Sequence, residues 1–387
     1  MKSKRILIVG QHSSVFLIRL MERISDMTMP DLEIEFFDTY SFSDKVNKLE
    51  IPYKTHGVVV PKLLKPLLRI PKIRVLLRIY LEYKSFAEII KNGAFDAFNI
   101  HELPYYTQLF IRYAHKCGVK SILTPIGSDA LRIEGKSSQM LKKAFDETDY
   151  VTITENSGFA KKVFDKFDID RTKVRNLSYG SDAISEICRI EKLYSRKMLS
   201  EILNIPYSDY YICCGYNAHR AQNHSIILDA IAANEKNLPQ GYKLLIPLGY
   251  GDKEVIRKEL EDQNRMLHLD IVYVMDFLSA TKVAALRVIT DLFIHIQDTD
   301  AHSFTIREFL LADTQIINGR WLSYPELEQY GVPYHVCESK ETLKDVIGHV
   351  LTGQMSTIKC SPELKTSLRE SSWDNVAHNW MNFYQTA

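Results

Sequence analysis

Residues 298–317 read DTDAHSFTIREFLLADTQII, and they decide how the surrounding chain folds. The apolar run before them, 292–296 (LFIHI), is typical of a buried parallel strand. Ser303 or Thr305 can cap a helix start, and the residues that follow predict a mostly apolar helix of about two turns. Another apolar run then closes the stretch as a strand. The stretch therefore predicts a βαβ unit, a motif in which ligands bind at the C-terminal ends of the strands.

Two acids bracket the start of this helix. Asp300 precedes the helix, and Glu308 follows one to two turns into it. Backbone N–H groups at 304–306 are typical of an anion site, and a carboxylate can accept hydrogen bonds from two vicinal hydroxyls. A phosphate between amides, flanked by two such acids, describes a nucleoside diphosphate sugar. The alternative is that Asp300 is a solvated loop acid and Glu308 a surface residue of the helix.

The stretch resembles the frame EGFGLPVLEAMACGTPVI of retaining glycosyltransferases of family 4, in which two Glu bracket the same kind of helix. Asp300 and Glu308 have the spacing of that pair. The resemblance implies that Glu308 holds ribose hydroxyls and that Asp300 holds hydroxyls of the donor sugar at the reaction centre. Asp313 stands where the family has Gly, which departs from the family's tight helix-to-strand turn. The residues implied to stabilise the donor diphosphate are Ser303, Phe304 and Thr305.

The composition bounds the class of protein. At 387 residues the chain is long enough for two domains, and its net charge of +1 argues against a nucleic-acid partner. The six cysteines form no CxxC pair, which favours reduced cytosolic thiols over disulfides or a zinc site. The N-terminal apolar run is too short for a signal peptide, and no segment approaches about 18 uncharged apolar residues, so no membrane span is expected.

The chain opens as a Rossmann-like domain. Residues 6–9 (ILIV) predict a buried strand that ends at Gly10, without the GxGxxG fingerprint of a dinucleotide site. Gly10 would let a ligand approach the backbone closely. His12 either points into the ligand-binding cleft or is a structural hydrogen bonder at the strand end. A later strand, 94–101, places His101 at its C-terminal end.

The next strand leads into the motif TPIGSD, which ends at Asp129. With His101, this motif resembles the D-hhh-H and T-pWGSD patterns of family 4 members from polysaccharide loci, with Ile126 in place of Trp. The resemblance implies that His101, Gly127 and Ser128 face the acceptor and the transferred sugar. Asp129 would orient or deprotonate the acceptor hydroxyl. Alternatively, Asp129 caps the helix that follows.

Residues 61–84 read PKLLKPLLRIPKIRVLLRIYLEYK, with seven Lys or Arg among Leu, Ile and Val and a single acid, Glu82. Pro66 and Pro71 interrupt the start, so the helix is expected from about Ile73. A basic segment with an apolar face is typical of a helix that lies on an anionic membrane surface. The alternative is an ordinary helix that packs its leucines on the domain and leaves its basic residues solvated.

A second Rossmann-like half begins with the apolar strand 210–214 (YYICC), which ends at Gly215. Two such halves in tandem are the architecture called GT-B, in which two domains face a cleft that binds the nucleotide sugar. In family 4 the loop that follows this strand carries an Arg and a Lys for the diphosphate. In this sequence neither the Arg nor the Lys stands at its usual position in the loop. Arg220 and His224 are the nearest substitutes.

This half also resembles the fucosamine transferases of enterobacterial common antigen, which are inverting enzymes. The resemblance lies in the pattern N…QNH, which begins at Asn217, and in PLGYG, which contains Gly249 and Tyr250. It implies that these residues and Gly215 line the donor site. The retaining outcome of family 4 is favoured, and the inverting outcome stays open.

The C-terminal sequence SWDNVA, 372–377, resembles the start of the family's last helix, which crosses back to the first domain. The expected fold class is α/β, with two Rossmann-like domains. The expected boundaries are 1–182 with 366–387 for an acceptor-binding domain, 183–206 for a linker, and 207–365 for a nucleotide-sugar-binding domain.

The resemblance implies transfer of a sugar from a nucleoside diphosphate sugar to a saccharide acceptor, such as one linked to polyprenyl diphosphate, in bacterial surface polysaccharide synthesis. The expected location is cytoplasmic, at the inner face of the plasma membrane where 61–84 contacts lipid. No cofactor or metal is expected: Asp298 and Asp300 have D-x-D spacing, but Asp300 belongs to the sugar site. Two alternatives are a sugar-nucleotide 2-epimerase of the same fold and a non-catalytic partner subunit.

Overall fold

The computed structural model describes residues 3–27, 31–39, 53–300 and 303–387. Two residues of the stretch that opened the sequence analysis, Ala301 and His302, lie outside the described residues. The side chains of two further residues are also outside the description, those of Lys72 and Ser128.

The chain divides into two compact units. The first unit comprises residues 1–180 with 373–387, and the second comprises 181–372. Each unit is built on one parallel β-sheet whose strands are joined through helices. The two Rossmann-like halves expected from the sequence are confirmed. The segment 183–206, expected to be a linker, forms two helices of the second unit.

The first unit has its strands in the order β3-β2-β1-β4-β5-β6-β7 over the described residues. These strands are β1 (Lys4–Gly10), β2 (Leu32–Asp38), β3 (Lys54–Gly57), β4 (Ala97–His101), β5 (Lys120–Thr124), β6 (Tyr150–Ile153) and β7 (Val174–Asn176). The helices, numbered along the whole chain, are α1 (Val15–Ser25), α2 (Pro71–Gly93), α3 (Thr107–Lys116), α4 (Ser128–Leu131), α5 (Gly135–Glu147), α6 (Gly158–Phe167) and α16 (Trp373–Thr386). A 3₁₀ helix over Lys62–Arg69 precedes α2, and another spans Arg171–Lys173.

Strand β1 is buried on both faces, which explains its continuous apolar sequence. Leu7 and Val9 belong to one apolar cluster, and Ile6 and Ile8 belong to another on the opposite face. A Cβ at Gly10 would lie 2.2 Å from Cδ2 of Leu17 in α1. Gly10 therefore leaves room for the Leu17 side chain of α1 at the end of β1, a role that the sequence analysis did not assign to it.

Helix α16 packs on the first unit, as expected for the last helix. Its residues Trp373, Trp380 and Tyr384 lie in the same apolar cluster as Ile6 and Ile8 of β1. The indole N–H of Trp380 donates to the carbonyl of Ser178 at 2.8 Å. The C-terminal helix is thus part of the core of the unit that contains the N-terminus.

The second unit has its described strands in the order β10-β9-β8-β11-β12-β13. These strands are β8 (Tyr211–Cys214), β9 (Lys243–Pro247), β10 (Ile271–Val274), β11 (Leu292–His295), β12 (Gln315–Gly319) and β13 (His335–Cys337). The helices are α7 (Asp182–Ile190), α8 (Arg196–Leu203), α9 (His224–Ala232), α10 (Lys253–Leu267), α11 (Ala280–Ile289), α12 (Phe304–Leu311), α13 (Pro325–Glu328), α14 (Leu343–Leu351) and α15 (Pro362–Glu370). Short 3₁₀ helices span Arg220–Gln222, Glu235–Asn237 and Lys340–Thr342. No helix among the residues that the structure describes is both long enough and apolar enough to cross a membrane.

The unit β11-α12-β12 has the predicted form. The Ser303 hydroxyl caps α12 by accepting a hydrogen bond from the amide of Ile306 at 3.3 Å. The turn into β12 forms although Asp313 replaces the family's Gly, because Asp313 adopts the left-handed conformation with φ of 59°. Short polar residues such as Asp tolerate this conformation better than β-branched ones. Lys365 pairs with the Asp313 carboxylate, so the departure from the family is accommodated locally.

Candidate functional site

The loops after β8 and β11 mark the point where ligands bind in a sheet of this kind. The connections from β8 and β11 run in opposite directions, to β9 on one side and to β12 on the other. In open parallel sheets the crevice at such a switch point, at the C-terminal ends of the strands, is the usual binding site. The predicted donor residues from Gly215 to His224 and from Asp300 to Thr305 belong to these two loops and the helix starts that follow them.

Asp300 is not a solvated loop acid. Its Oδ2 accepts a hydrogen bond from the Tyr324 hydroxyl at 2.9 Å and lies 3.4 Å from Nε2 of His295. Tyr324 and His295, the last residue of β11, are both almost fully buried. These contacts fix the orientation of the carboxylate at the end of the strand. The sequence analysis assigned no role to Tyr324 or His295.

Glu308 is not a surface residue of the helix either. It is 6% exposed, and it accepts a hydrogen bond from the Ser181 hydroxyl at 2.8 Å. Its other oxygen lies 3.1 Å from Nε of Arg287, whose side chain is equally buried. A buried ion pair of this geometry fixes the orientation of the Glu308 carboxylate. Arg287 was missed from the sequence, although it is one of only two basic residues on the otherwise mostly apolar helix α11, which was an available signal.

Tyr250 and Tyr216 bring the two loops together around the acid pair. Burial raises the pKa of Tyr250, and the charges of Arg287, Asp300 and Glu308 all act on its hydroxyl. Burial likewise raises the pKa of Tyr216, and the Asp300 carboxylate adds to that rise. Both phenols are therefore neutral hydrogen-bonding groups next to the acids. The structure thus collects Asp300, Glu308, Arg287 and two tyrosines in one cluster, which we call the acid cluster.

Close contacts with side chains and backbone surround the predicted glycines and the loop that contains Asn217. Gly215 has φ of 64°, and a Cβ there would lie 2.8 Å from Nε2 of His224. A Cβ at Gly249 would lie 2.7 Å from the carbonyl oxygen of Asp276. Asn217 donates to the Tyr250 hydroxyl at 3.2 Å. The loops after β8 and β9 are therefore tied to each other at the edge of the sheet.

The two substitutes for the family's phosphate-binding cations differ from expectation. Arg220 is 70% exposed and pairs with Glu259 of α10 at 2.5 Å. It lines a groove of about 570 Å³ between α9 and α10. His224 is buried, and this burial lowers its pKa to about 4. His224 is therefore neutral near pH 7 and does not supply the positive charge expected of it.

Amides at the start of α12 are the other predicted phosphate ligands. Ser303 satisfies the amide of Ile306, so this amide is already engaged. Phe304 and Thr305 occupy the first turn of the helix, where the macrodipole favours an anion. Among the predicted phosphate ligands, the first turn of α12 is therefore the one whose local field favours an anion.

In the first unit, His101 lies buried at the end of β4. Its Nδ1 is hydrogen-bonded to the Tyr179 hydroxyl, and its ring packs near those of Tyr179 and Trp380. Its Nε2 is buried without a hydrogen-bond partner among the described residues. Burial lowers the pKa of His101 to about 3, so the imidazole is neutral at physiological pH. A neutral imidazole with one unused nitrogen can donate or accept one more hydrogen bond.

Asp129 makes structural contacts, but they differ from the helix capping that was the alternative to a role at the acceptor. Its carboxylate accepts hydrogen bonds from the amides of Leu103 at 2.9 Å, Ile126 at 3.1 Å and Gly127 at 2.7 Å. It therefore joins the loop after β4 to the loop after β5. The amides lie before Asp129 in the chain, so it organises the preceding loops rather than capping its own helix as expected. Ser128 lies beside it on α4.

His12 also contacts a buried acid. Its Nδ1 lies 2.7 Å from Oδ2 of Asp38, and its backbone amide donates to Oδ1 at 3.3 Å. These contacts are those of a structural hydrogen bonder, and they also orient the imidazole. Gly10, His12, His101 and Gly127 all follow or end strands at the same edge of the first sheet.

Comparisons with solved structures identify the fold. The chain is similar to a glycosyltransferase from Rickettsia africae ESF-5, with a TM-score of 0.71, 14% identity, and coverage of 100% of this chain and 99% of that one. It is similar to HepE of Anabaena in complex with UDP, with a TM-score of 0.67, 13% identity and full coverage of both chains. It is also similar to the lipopolysaccharide outer core galactosyltransferase WaaB, with a TM-score of 0.65, 12% identity, and coverage of 99% and 100%.

Two of these neighbours are described as a glycosyltransferase and a galactosyltransferase, and the chain shares the GT-B fold of these structures over its whole length. The expected fold class is therefore confirmed. No protein-family model and no curated protein matches the sequence. At such low identity the similarity defines the fold and leaves the activity to be argued from the site.

Proposed function

We propose that this protein is a glycosyltransferase that takes its sugar from a nucleoside diphosphate sugar. The acid cluster is the observation that carries the proposal. Asp300 and Glu308 are two ionisable acids held in fixed orientations at the switch point of the second sheet, one on each side of a helix N-terminus. HepE of Anabaena has been solved in complex with UDP and glucose, which favours a uridine nucleotide as the donor.

The chemistry assigns a task to each group. The bond between the anomeric carbon and the diphosphate oxygen breaks, and the electron pair leaves with the nucleoside diphosphate. The anomeric carbon bonds to the acceptor oxygen, and the proton of the acceptor hydroxyl passes to the departing diphosphate. Glu308 accepts hydrogen bonds from the ribose, and Asp300 accepts them from the donor sugar. Amides of the first turn of α12 stabilise the leaving diphosphate, and removing one such contact typically lowers the rate by about 10²–10³.

The acceptor we propose is a saccharide linked to polyprenyl diphosphate, in the synthesis of a bacterial surface polysaccharide. The resemblance of the sequence to polysaccharide-locus enzymes supports this choice, as does the structural similarity to WaaB, a galactosyltransferase of the lipopolysaccharide outer core. Residues at the edge of the first sheet, among them Gly10, His12 and His101, would contact this acceptor. We infer that His101, being neutral, contacts a hydroxyl through its unused nitrogen.

A non-catalytic partner subunit is the second candidate. The state of the two substitutes for the family's phosphate-binding cations favours it. Arg220 forms an ion pair on the surface, and burial of His224 removes its positive charge. A protein of this kind would bind a nucleotide sugar weakly or not at all. The epimerase alternative has no specific observation in its favour. An epimerase would release the nucleotide in the absence of any acceptor. The rate of nucleotide release by a transferase would instead increase with the concentration of acceptor.

Donor binding tests the proposal. We would measure binding and hydrolysis of UDP-, GDP- and dTDP-sugars by wild type, Glu308→Gln and Glu326→Gln. Glu326 is the matched control because it is also buried in a 3.1 Å pair with an arginine, Arg307, and is placed outside the acid cluster. We expect one donor to bind wild type and Glu326→Gln, and Glu308→Gln to lose it. If no nucleotide sugar binds the wild type, the partner-subunit candidate replaces the enzyme.

We also propose that transfer needs no metal ion. Asp300, the second acid of the D-x-D spacing, is engaged by Tyr324 in the sugar site. Turnover with the identified donor should therefore persist in EDTA. Loss of turnover in EDTA that manganese restores would contradict this proposal.

A further inference from the structure

The segment from Pro61 to Tyr80 presents an apolar surface to solvent. The exposed fraction is 90% for Leu63, 72% for Leu76 and 56% for Tyr80. Val59, Leu67, Ile70, Ile73 and Val75 are also exposed. Leu64 and Leu77 pack partly against the core of the first unit, as the ordinary-helix alternative required, but the residues above do not.

This exposed segment is attached to a fixed support. Helix α2 begins at Pro71, two residues before the expected start, and runs to Gly93. Its second half is buried: Leu81, Glu82 and Phe86 are each less than about one-tenth exposed. The Glu82 carboxylate accepts a hydrogen bond from Nε of Arg78 at 2.6 Å and another from the Tyr106 hydroxyl. The first turns of α2 therefore extend from a helix that the core holds in place.

The same surface is strongly basic. Lys62, Lys65, Arg69 and Arg74 are exposed, and Arg78 is half-buried. The sequence has no Asp or Glu from residue 58 to residue 81. Exposed leucines with flanking cations and no acids are complementary to an anionic lipid surface, where acyl chains lie beneath phosphate groups. We call the exposed apolar and basic residues of 59–80 the basic apolar surface.

We propose that the basic apolar surface binds the headgroup region of an anionic lipid bilayer. Leu63 and Leu76 enter the boundary between headgroups and acyl chains. The lysines and arginines beside them contact lipid phosphates. The argument rests on exposure and charge in the first unit alone, so it is independent of the proposed glycosyl transfer.

Vesicle sedimentation of the full-length protein tests this proposal. The probes are vesicles of phosphatidylcholine alone and vesicles that contain phosphatidylglycerol as well. We expect the protein to bind the anionic vesicles at low salt and to be released in about 1 M salt, where the Debye length falls to about 3 Å. Donor binding, measured without vesicles, keeps the failure of this proposal distinct from the failure of the proposed function.

Two variants separate the apolar contribution from the charge contribution. Leu63→Ser with Leu76→Ser should weaken binding about tenfold or more, because two buried leucines are lost from the boundary. Arg69→Glu with Arg74→Glu should weaken binding about 25-fold or more, since each basic residue near such a surface contributes a factor of about five.

Matched controls lie on α10 of the second unit. Met266→Ser removes an apolar side chain that is 82% exposed, and Lys258→Glu with Arg265→Glu reverses two exposed charges. These variants should bind vesicles like wild type. Thermal unfolding that is unchanged in all variants shows that each has folded.

Two results would overturn the proposal. One is wild-type protein that stays in the supernatant with anionic vesicles at low salt. The other is self-association of wild type in sedimentation velocity, abolished by Leu63→Ser with Leu76→Ser while vesicle binding is unaffected. The second result would assign the surface to contacts between copies of this chain.

Discussion

Arg287 and Glu308 form an ion pair in the interior of the second unit, with 3.1 Å between Nε and Oε2. A second buried pair of the same length joins Arg307, the neighbour of Glu308 in α12, to Glu326. The charges of the first pair act on the hydroxyl of Tyr250, whereas Arg307 and Glu326 lie outside the acid cluster as defined above. The two pairs therefore allow the structural cost of a lost ion pair to be separated from the loss of a ligand contact.

Replacing one member of the Arg287–Glu308 pair should destabilise the protein. Arg287→Leu or Glu308→Leu leaves an unpaired buried charge, which costs about 3–5 kcal/mol of unfolding free energy. The double variant should recover most of this loss, because an apolar pair can replace a buried ion pair. Denaturant unfolding measures the stabilities, and donor titration should show that binding does not recover.

The control for this cycle is Arg307→Leu with Glu326→Leu. It should show the same stability pattern and keep donor binding. Single variants of either pair with wild-type stability would show that the pairs contribute little in solution.

Tyr324→Phe should weaken the sugar contact of Asp300 and leave nucleotide binding intact. The lost hydroxyl donates to a carboxylate, and hydrogen bonds to charged groups contribute about 1.5–3 kcal/mol, so kcat/KM should fall about tenfold or more. The affinity for UDP without a sugar should not change. Tyr334→Phe is the comparison, because Tyr334 is also buried and donates to a carboxylate, that of Glu328. Equal losses in both variants would remove the special role of Asp300.

Asp129→Ala should lower the stability of the first unit. Its carboxylate accepts hydrogen bonds from three backbone amides, and leaving them unsatisfied should cost about 2–3 kcal/mol. Asp129→Asn should cost less, because one acceptor oxygen remains. Thermal unfolding measures both. A variant with wild-type stability and no activity would instead support the expected role of Asp129 at the acceptor hydroxyl.

Burial of His101 should make the first unit sensitive to acid. Burial lowers the pKa of His101 to about 3, whereas an unfolded His titrates near its ordinary value of 6.5. The unfolded state therefore binds the proton first as the pH falls. The contribution of the buried, neutral His101 to the unfolding free energy is complete above pH 6.5. It is lost progressively toward pH 3, by up to about 1.4 kcal/mol per pH unit.

Unfolding free energies of wild type and His101→Gln between pH 7 and pH 4.5 measure this loss. The difference between the two proteins should shift by about 2–3 kcal/mol over that range. His224→Gln is the comparison in the second unit, where burial lowers the histidine pKa to about 4. A difference that is independent of pH would show that water reaches the His101 ring.

The local pattern around α12 was readable from the sequence. The run 292–296, the cap at Ser303 and the apolar residues of α12 are set by contacts between near neighbours, so their periodicity identifies strand, loop and helix. The same holds for the individual strands of the two sheets and for the last helix. Asp300 lies in the loop after β11 and Glu308 lies in α12, and their role in binding the donor stays a prediction.

The partners of these acids were decided by the tertiary structure. Arg287 reaches Glu308 from α11, and Ser181 reaches it from the N-cap of α7. Asp129 accepts a hydrogen bond from the amide of Leu103, which lies 26 residues earlier. The exposure of Leu63 and Leu76 depends equally on what packs against them. The sequence by itself determined the elements and their order, because hydrogen bonding and periodicity act over a few residues. Burial, ion pairing and the protonation of His101 and His224 were decided only when distant segments packed, because the local dielectric and the available partners depend on that packing.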